Sequence, residues 1–310
     1  MVSVGSLRVG GAGKTPIVAA VARLLTSRGE RPAILTRGYA REVSPDGVTV
    51  VSDGEHVLAG VHTAGDEALM LARRLAGVPV LVGADRYLSG CLAERRFGAT
   101  VHVLDDGFQH LALARDTDLL VVDEEDLSDS PLPAGHLREP ISAAARADAL
   151  LVNANYGAAA ERVGRSLGVT TTFFVTRTIS APRLIATDEP VVVPTGEAVF
   201  AVAGIARPER FFSNLATAGW HVAGSLAFRD HHPFKQRDVE RIAARARTAR
   251  AAIVLTTAKD AVRLSACNLT GLPIAVVPLV VSIEPRDRFA GWLLDRVRGS
   301  ADANVRDVPA

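Results

Sequence analysis

Seven consecutive residues near the start of the chain, Val9-Gly10-Gly11-Ala12-Gly13-Lys14-Thr15, have the types and spacing of a loop that holds phosphate. Glycines let backbone N–H groups close on phosphate oxygens, and a helix opening behind them adds partial positive charge. In such a loop Lys14 reaches the β- and γ-phosphates and Thr15 holds magnesium through its hydroxyl. Pro16 falls in the first helical turn, where a missing N–H costs nothing. One position departs from the usual pattern: Arg8 stands five residues before Gly13, where the first glycine is expected. Only three of the 35 basic residues are lysines: Lys14, Lys235 and Lys259. A lysine that persists in such a chain points to a place where a planar guanidinium does not replace a compact ammonium.

Two further groups could do chemistry with bound phosphate. The aliphatic run Val101–Leu104 leads into Asp105-Asp106-Gly107-Phe108-Gln109-His110. A strand ending in Asp is how nucleotide-binding enzymes place a carboxylate beside magnesium, the plain alternative being a capped Asp-Gly turn. Asp66 and Glu67 follow Gly65 at a helix start, where the residues alone favour ordinary capping. His231-His232 sit in Phe228-Arg229-Asp230-His231-His232-Pro233-Phe234, ahead of another helix. No Cys or third His stands at ligand spacing, so zinc fits poorly and a His–Asp pair for general-base work fits better. The base-reading motif of GTPases is missing, since Thr257-Ala258-Lys259-Asp260 has the wrong spacing. Partitioning-type ATPases carry a lysine where this chain has Val9. Both absences favour a small-molecule kinase, with a nucleotide-switch ATPase or GTPase acting on a protein partner as the alternative.

These groups need a scaffold, and the apolar pattern supplies one. Strands are expected at Val2–Leu7, Pro32–Thr36, Pro79–Val82, Val101–Leu104, Leu119–Val122 and Ala149–Val152. Helices are expected at Lys14–Arg28, Asp66–Leu75 and Arg86–Arg95. Near-continuous aliphatic strands alternating with helices mean a mostly parallel sheet covered on both faces, an α/β fold of the P-loop NTPase type. Pro182, Pro190, Pro194 and Gly196 mark residues 176–198 as a linker ribbon between a kinase domain, 1–175, and a smaller α/β domain, 199–310. In the second domain strands are expected at Val199–Ala203, His221–Leu226, Ala252–Thr256 and Ile274–Val281. Its helices are expected at Pro208–Ala218, at Arg237–Ala249, after Thr256 and near Arg288–Val297, with a frayed end over 300–310.

Composition limits the classes of function. With 310 residues, 48% of them hydrophobic, the chain can bury roughly 75% of its unfolded surface. A net charge of +1 argues against nucleic-acid binding by charge alone. Cys91 and Cys267 cannot make a disulfide framework, so a reducing cytosol is expected. There is no run of about 18 apolar residues and no signal-peptide pattern. Residues 101–150 carry 11 acidic and 3 basic side chains between basic flanks, a distribution that suits a metal-binding or solvated loop between phosphate-handling regions.

Taken in order, the segments resemble the tetraacyldisaccharide 4'-kinase (lipid A 4'-kinase) family over most of the chain. The likeness runs from Ser3-Val4-Gly5 and Val9–Pro16 through Thr36-Arg37-Gly38-Tyr39, Gly65-Asp66-Glu67 and Asp105–His110. It continues in Leu132-Pro133-Ala134-Gly135, Leu137-Arg138-Glu139-Pro140, Ala203-Gly204-Ile205, Asp230-His231-His232 and Thr256–Ala261. The resemblance implies transfer of the γ-phosphoryl of ATP to the 4'-hydroxyl of a tetraacylated glucosamine disaccharide 1-phosphate, at the cytoplasmic face of the inner membrane. It implies Asp66 as catalytic base with His231 as partner. Lys14 joins them, and Gly10, Gly11, Ala12, Gly13, Thr15, Asp106, His110 and Glu139 hold the nucleotide. Magnesium falls to Thr15, Asp105 and Asp106. The implied partners are the acylated disaccharide and the membrane surface, met peripherally; neither nucleic acid nor an obligate protein partner is expected. The family usually has Asn at Ser6, Thr or Ser at Arg8, Pro at His136 and Glu at Ala258, and the Arg8 change is expected to alter nucleotide affinity. Members also carry an apolar helix ahead of the first strand, which Met1 directly abuts here.

Overall fold

A computed structural model describes every residue except 40, 155, 195 and 307–310. The chain runs β1 (Val2–Ser6), α1 (Lys14–Ser27), β2 (Pro32–Thr36), β3 (Val48–Ser52), α2 (Val61–Ala64), α3 (Asp66–Arg74), β4 (Val80–Gly83), α4 (Arg86–Phe97), β5 (Val101–Asp105), β6 (Thr117–Val122), β7 (Ala149–Asn153), α5 (Gly157–Leu167) and β8 (Thr172–Ile179). It continues β9 (Arg183–Leu184), β10 (Ala198–Ala203), α6 (Pro208–Thr217), β11 (His221–Ala227), α7 (Gln236–Thr248), β12 (Ile253–Thr256), α8 (Ala258–Leu264), β13 (Ile274–Val276), β14 (Leu279–Glu284) and α9 (Arg286–Arg306).

The strands form a nine-stranded sheet, ordered β14-β8-β7-β6-β1-β5-β2-β4-β3, and a five-stranded sheet, ordered β11-β10-β12-β13-β9. The large sheet is parallel except at its two edges, where β14 runs antiparallel to β8 and β3 to β4. The small sheet is parallel apart from its edge strand β9. Strands β1, β2, β4, β5 and β6 are buried along their whole length, as aliphatic strands covered on both faces must be. Ile17, Val18, Val21 and Leu25 of α1 supply one cover, in a cluster with Val2 and Val4 of β1, Val103 of β5, and Leu119 and Val121 of β6. The opposite face is closed by Leu120, Leu150 and Val152 against Ala160 and Val163 of α5. Separate apolar clusters line the two faces of the small sheet.

The expected strand over Ile274–Val281 is two strands in two sheets. β13 ends the parallel part of the small sheet; the chain then crosses back, and β14 pairs with β8 from Leu279 opposite Ile179 to Glu284 opposite Phe174. Helix α9 follows it onto the large sheet, where Phe289 meets Phe173 edge-on at 5.0 Å and Leu293 is fully buried. The ribbon expected over 176–198 is partly strand: β8 extends to Ile179, and β9 joins the small sheet. We propose on this topology that residues 1–179 and 279–306 form one unit and 183–276 the other. The end expected to fray from 300 is helical as far as Arg306, and the rest of it lies outside the described residues. Strands β3 and β8 and helices α2 and α5 had no counterpart among the expected elements. β3 is an edge strand and α2 is four residues long, whereas β8 is an eight-residue strand inside the large sheet and α5 an eleven-residue helix that buries Ala159, Ala160 and Val163.

Candidate active site

The phosphate-type loop leaves the C-terminal end of β1, the middle strand of the large sheet, and opens α1. Gly13 occupies the residue before that helix with φ 74°, and Gly10 and Gly11 are also left-handed. A Cβ on Gly13 would collide with Nη2 of Arg177, whose guanidinium donates to the Ala12 carbonyl at 3.1 Å. Glycine is thus required there by conformation, while the Arg177 guanidinium, the end of a flexible side chain, can shift aside.

β5 pairs with β1 and brings its last residue, Asp105, beside the loop. Lys14 Nζ donates to Ser6 Oγ at 3.1 Å and lies 3.2 Å from Asp106 Oδ1. Asp106 Oδ2 meets Arg138 at 2.8 Å. Burial alone would raise the Asp106 carboxyl, but Lys14 and Arg138 outweigh it and hold it below the usual range. Asp105 goes the other way: burial, then the neighbouring Glu67 and Asp106 carboxylates, push it up to about 8. Glu139 joins the same group through Gln109, which donates to Glu139 Oε1 at 3.0 Å and accepts from Arg138 at 3.0 Å. The His110 ring lies nearby on the same loop, pulled below the ordinary histidine value by burial and by Arg86 and Arg115.

The second cluster is assembled from both sheets. Asp66 does not cap α3 through a side-chain bond, in contrast to Asp85, which caps α4 by accepting from Tyr87 and Leu88. Its Oδ1 accepts the Glu67 N–H at 2.9 Å, and its Oδ2 meets Arg263 of α8 directly and His231 Nδ1 at 3.1 Å. His231, after β11, is held at φ 55° with Tyr39 edge-on to its ring at 5.1 Å. Lys259 of α8 lies 3.0 Å from His231 Nε2, 3.1 Å from Asp230 and 3.3 Å from Glu67. Burial, then Lys259, lowers the affinity of the His231 ring for a proton. His232 is turned away, bonded to Asp238 at 3.1 Å and stacked on Phe228 at 4.6 Å. Among the described residues no group of three or more His, Cys, Asp or Glu side chains could hold a metal by itself.

The chain matches the family model of the tetraacyldisaccharide-1-P 4'-kinases over residues 1–298. It belongs to the tetraacyldisaccharide 4'-kinase family. Among its relatives, the tetraacyldisaccharide 4'-kinase of Geobacter metallireducens is 40% identical over 92% of this chain and 85% of its own length. That of an Anaeromyxobacter species is 41% identical over 99% and 85%. The crystal structure of LpxK from Aquifex aeolicus in complex with ATP shares the fold with a TM-score of 0.74 at 30% identity, covering 96% of this chain and 88% of that one.

Within this 4'-kinase fold, the acidic middle of the chain is largely consumed by ion pairs. Arg8 turns away from the phosphate-type loop: Nε meets Asp126 at 2.5 Å and Nη2 meets Asp129 at 2.8 Å, with the side chain 7% exposed. Asp123 and Glu125 pair with Arg207 and Arg210 of the small-sheet unit at 3.2–3.4 Å. Ala206 and Arg207 lie against Gly10 and Gly11. Arg8→Met is therefore expected to lower the thermal midpoint by several degrees, by leaving two carboxylates without their cation. Calorimetry of the two proteins checks this, and an unchanged midpoint would contradict it.

The structure brings the expected Lys14 and Asp106 together at the phosphate-type loop and the expected Asp66 and His231 together in the second cluster; Arg177, Arg207 and Arg263, which pack against them, were not among the expected residues. No motif marks those arginines in a chain where nearly every basic residue is arginine. Lys259 carries a signal, its scarcity, but its neighbours in the sequence suggest only a failed base-reading motif.

Proposed function

We propose that this chain is an ATP-dependent kinase that phosphorylates the 4'-hydroxyl of a tetraacylated glucosamine disaccharide 1-phosphate. The observation that carries the reading is the pairing of two clusters: Lys14, Asp106 and Arg138 on the phosphate-type loop, and the buried Asp66 carboxylate beside His231 and Arg263. ATP bound to the Aquifex aeolicus relative agrees with a nucleotide on this loop.

In this reading the amides of Gly10–Thr15 and the Lys14 ammonium hold the transferring phosphoryl group. Gln109, Arg138 and Glu139 brace Asp106, and His110 lines the nucleotide side. Asp66 takes the proton of the sugar hydroxyl, with His231 orienting it. A carboxylate has about four lone-pair directions. Oδ2 of Asp66 faces the Arg263 and His231 side chains, while Oδ1 accepts the Glu67 N–H and keeps a lone pair for the hydroxyl.

The Thr15 hydroxyl and the crowded Asp105 carboxyl are the hard oxygen donors that suit magnesium, which takes few protein ligands when phosphate supplies the rest. Asp106, with both oxygens on cations, serves as counter-ion to Lys14 and Arg138 and borders that position. Bound there, magnesium would neutralise charge on the β–γ oxygens. Asp105→Asn removes a carboxylate that burial and two like charges disfavour. It is expected to raise the thermal midpoint without nucleotide while lowering turnover, and a lowered midpoint would speak against this account of the site.

No helix among the described residues is long and apolar enough to cross a membrane. The acyl chains of the substrate place the reaction at a membrane surface, so the chain is proposed to act peripherally at the cytoplasmic face of the inner membrane. The test is direct: protein, ATP, magnesium and detergent-solubilised tetraacyldisaccharide 1-phosphate, read by mass spectrometry. A product heavier by one phosphate is expected. ATP hydrolysis indifferent to the acceptor, with no phosphorylated product, would favour the nucleotide-switch alternative.

A further inference from the structure

Arg207 has no part in the chemistry described so far, yet it comes from the small-sheet unit and lies over the phosphate-type loop. Its carbon stem follows the glycines: a Cβ on Gly11 would stand 3.3 Å from its Cγ and 3.4 Å from its Cδ. The guanidinium is tethered at one corner only. Nη1 donates to Asp123 Oδ2 at 3.3 Å and to Glu125 Oε2 at 3.4 Å, while Nε and Nη2 carry no hydrogen bond to the described residues. Nε follows Cδ, so the Nε–Nη2 edge begins beside Gly11, and such an edge is the fork that matches a phosphate bidentately. Asp123 does not depend on Arg207, since it also accepts from Asn153 at 2.6 Å and from Arg210 at 3.2 Å. Glu125, 67% exposed, has Arg210 as well. Arg177, Arg207 and Arg210 crowd around Asp123. Burial above all, with Arg210 and Arg207 beside it, holds the Arg177 guanidinium below the usual arginine value against the pull of Asp123. An anion on the loop would relieve that crowding.

We propose that Arg207 is a phosphate-contacting residue supplied by the small-sheet unit, whose Nε–Nη2 edge grips the terminal phosphate of a nucleoside triphosphate seated on the Gly10–Thr15 loop. The inference rests on the reading that ATP binds this loop. It gives Arg207 the part of an arginine finger provided in cis, offsetting charge on the transferring group. Arg210 has a different part. Three residues further on, in α6, it reaches the same two carboxylates but is not among the side chains nearest any glycine of the loop. It ties the two units together without meeting phosphate.

The experiment compares the full chain with Arg207→Met and Arg210→Met, by calorimetric titration with ATP and with ADP and by turnover on the acylated disaccharide. Arg207→Met is expected to weaken ATP roughly 10-fold, as for one charge-assisted hydrogen bond, and to leave ADP unchanged. Its kcat should fall roughly 10²- to 10³-fold, the loss of one donor aimed at developing charge. Arg207→Lys keeps the charge without the fork and should recover only part of kcat. Arg210→Met removes a cation from the same carboxylates, yet is expected to keep the wild-type preference for ATP over ADP and a kcat within a few-fold. An Arg207→Met protein with wild-type kcat and wild-type preference overturns the proposal. So do equal losses in the two methionine variants, which would assign Arg207 only to the contact between the units. Lys14→Ala measured alongside separates failure of the underlying reading: ATP bound as tightly without Lys14 would remove the nucleotide from this loop, and the proposal with it, whatever Arg207→Met does.

Discussion

Asp66→Asn is expected to lower kcat by ~10²–10⁴-fold, about 3–5 kcal/mol of transition-state stabilisation, while KM for ATP stays near wild type. The size follows from what a positioned general base contributes. The split follows from the map of the site, since Asp66 touches His231, Arg263 and its own helix start but nothing on the phosphate-type loop. Asparagine is the better probe than alanine. Asp66 is 3% exposed and faces a guanidinium that is itself 8% exposed, so alanine would strand a buried cation and mix a folding defect into the rate. Steady-state kinetics with both substrates, beside a thermal melt, decide the matter. Turnover within a few-fold of wild type in a folded protein would remove Asp66 from the base role.

Lys14→Ala is expected to cost ~10²–10³-fold in kcat/KM, about 3–4 kcal/mol, the loss typical of one preorganised donor aimed at developing charge. Here the melt should move little. The ammonium is 12% exposed, and Asp106 keeps Arg138 at 2.8 Å when Lys14 is gone. Lys14→Arg should not rescue, because the space between Ser6 Oγ and Asp106 Oδ1, at 3.1 and 3.2 Å from one nitrogen, is shaped for a point charge. An arginine variant with wild-type kcat/KM would show that charge alone suffices.

Local pattern determined a good deal about this protein. The order Gly10–Thr15 after an apolar strand was enough to place a phosphate-type loop, because strand, turn and helix are each specified by neighbours within a few residues. Near-continuous aliphatic runs were enough to make β1, β2, β4, β5 and β6 buried parallel strands. The family likeness, spread over most of the chain, was legible too.

Tertiary structure alone decided the rest. Asp66 at a helix start reads as a cap until α8, far later in the chain, puts Arg263 against it and Lys259 against Glu67, and no local spacing encodes those contacts. Arg8 reads as a defect in the loop until Asp126 and Asp129 take it up. The return of β14 to the large sheet was hidden in one apolar run, since the residues between β13 and β14 give no sign of which sheet edge comes next. In each case the partner's position depends on how distant segments pack, and the burial that makes these charges interact strongly exists only once they do.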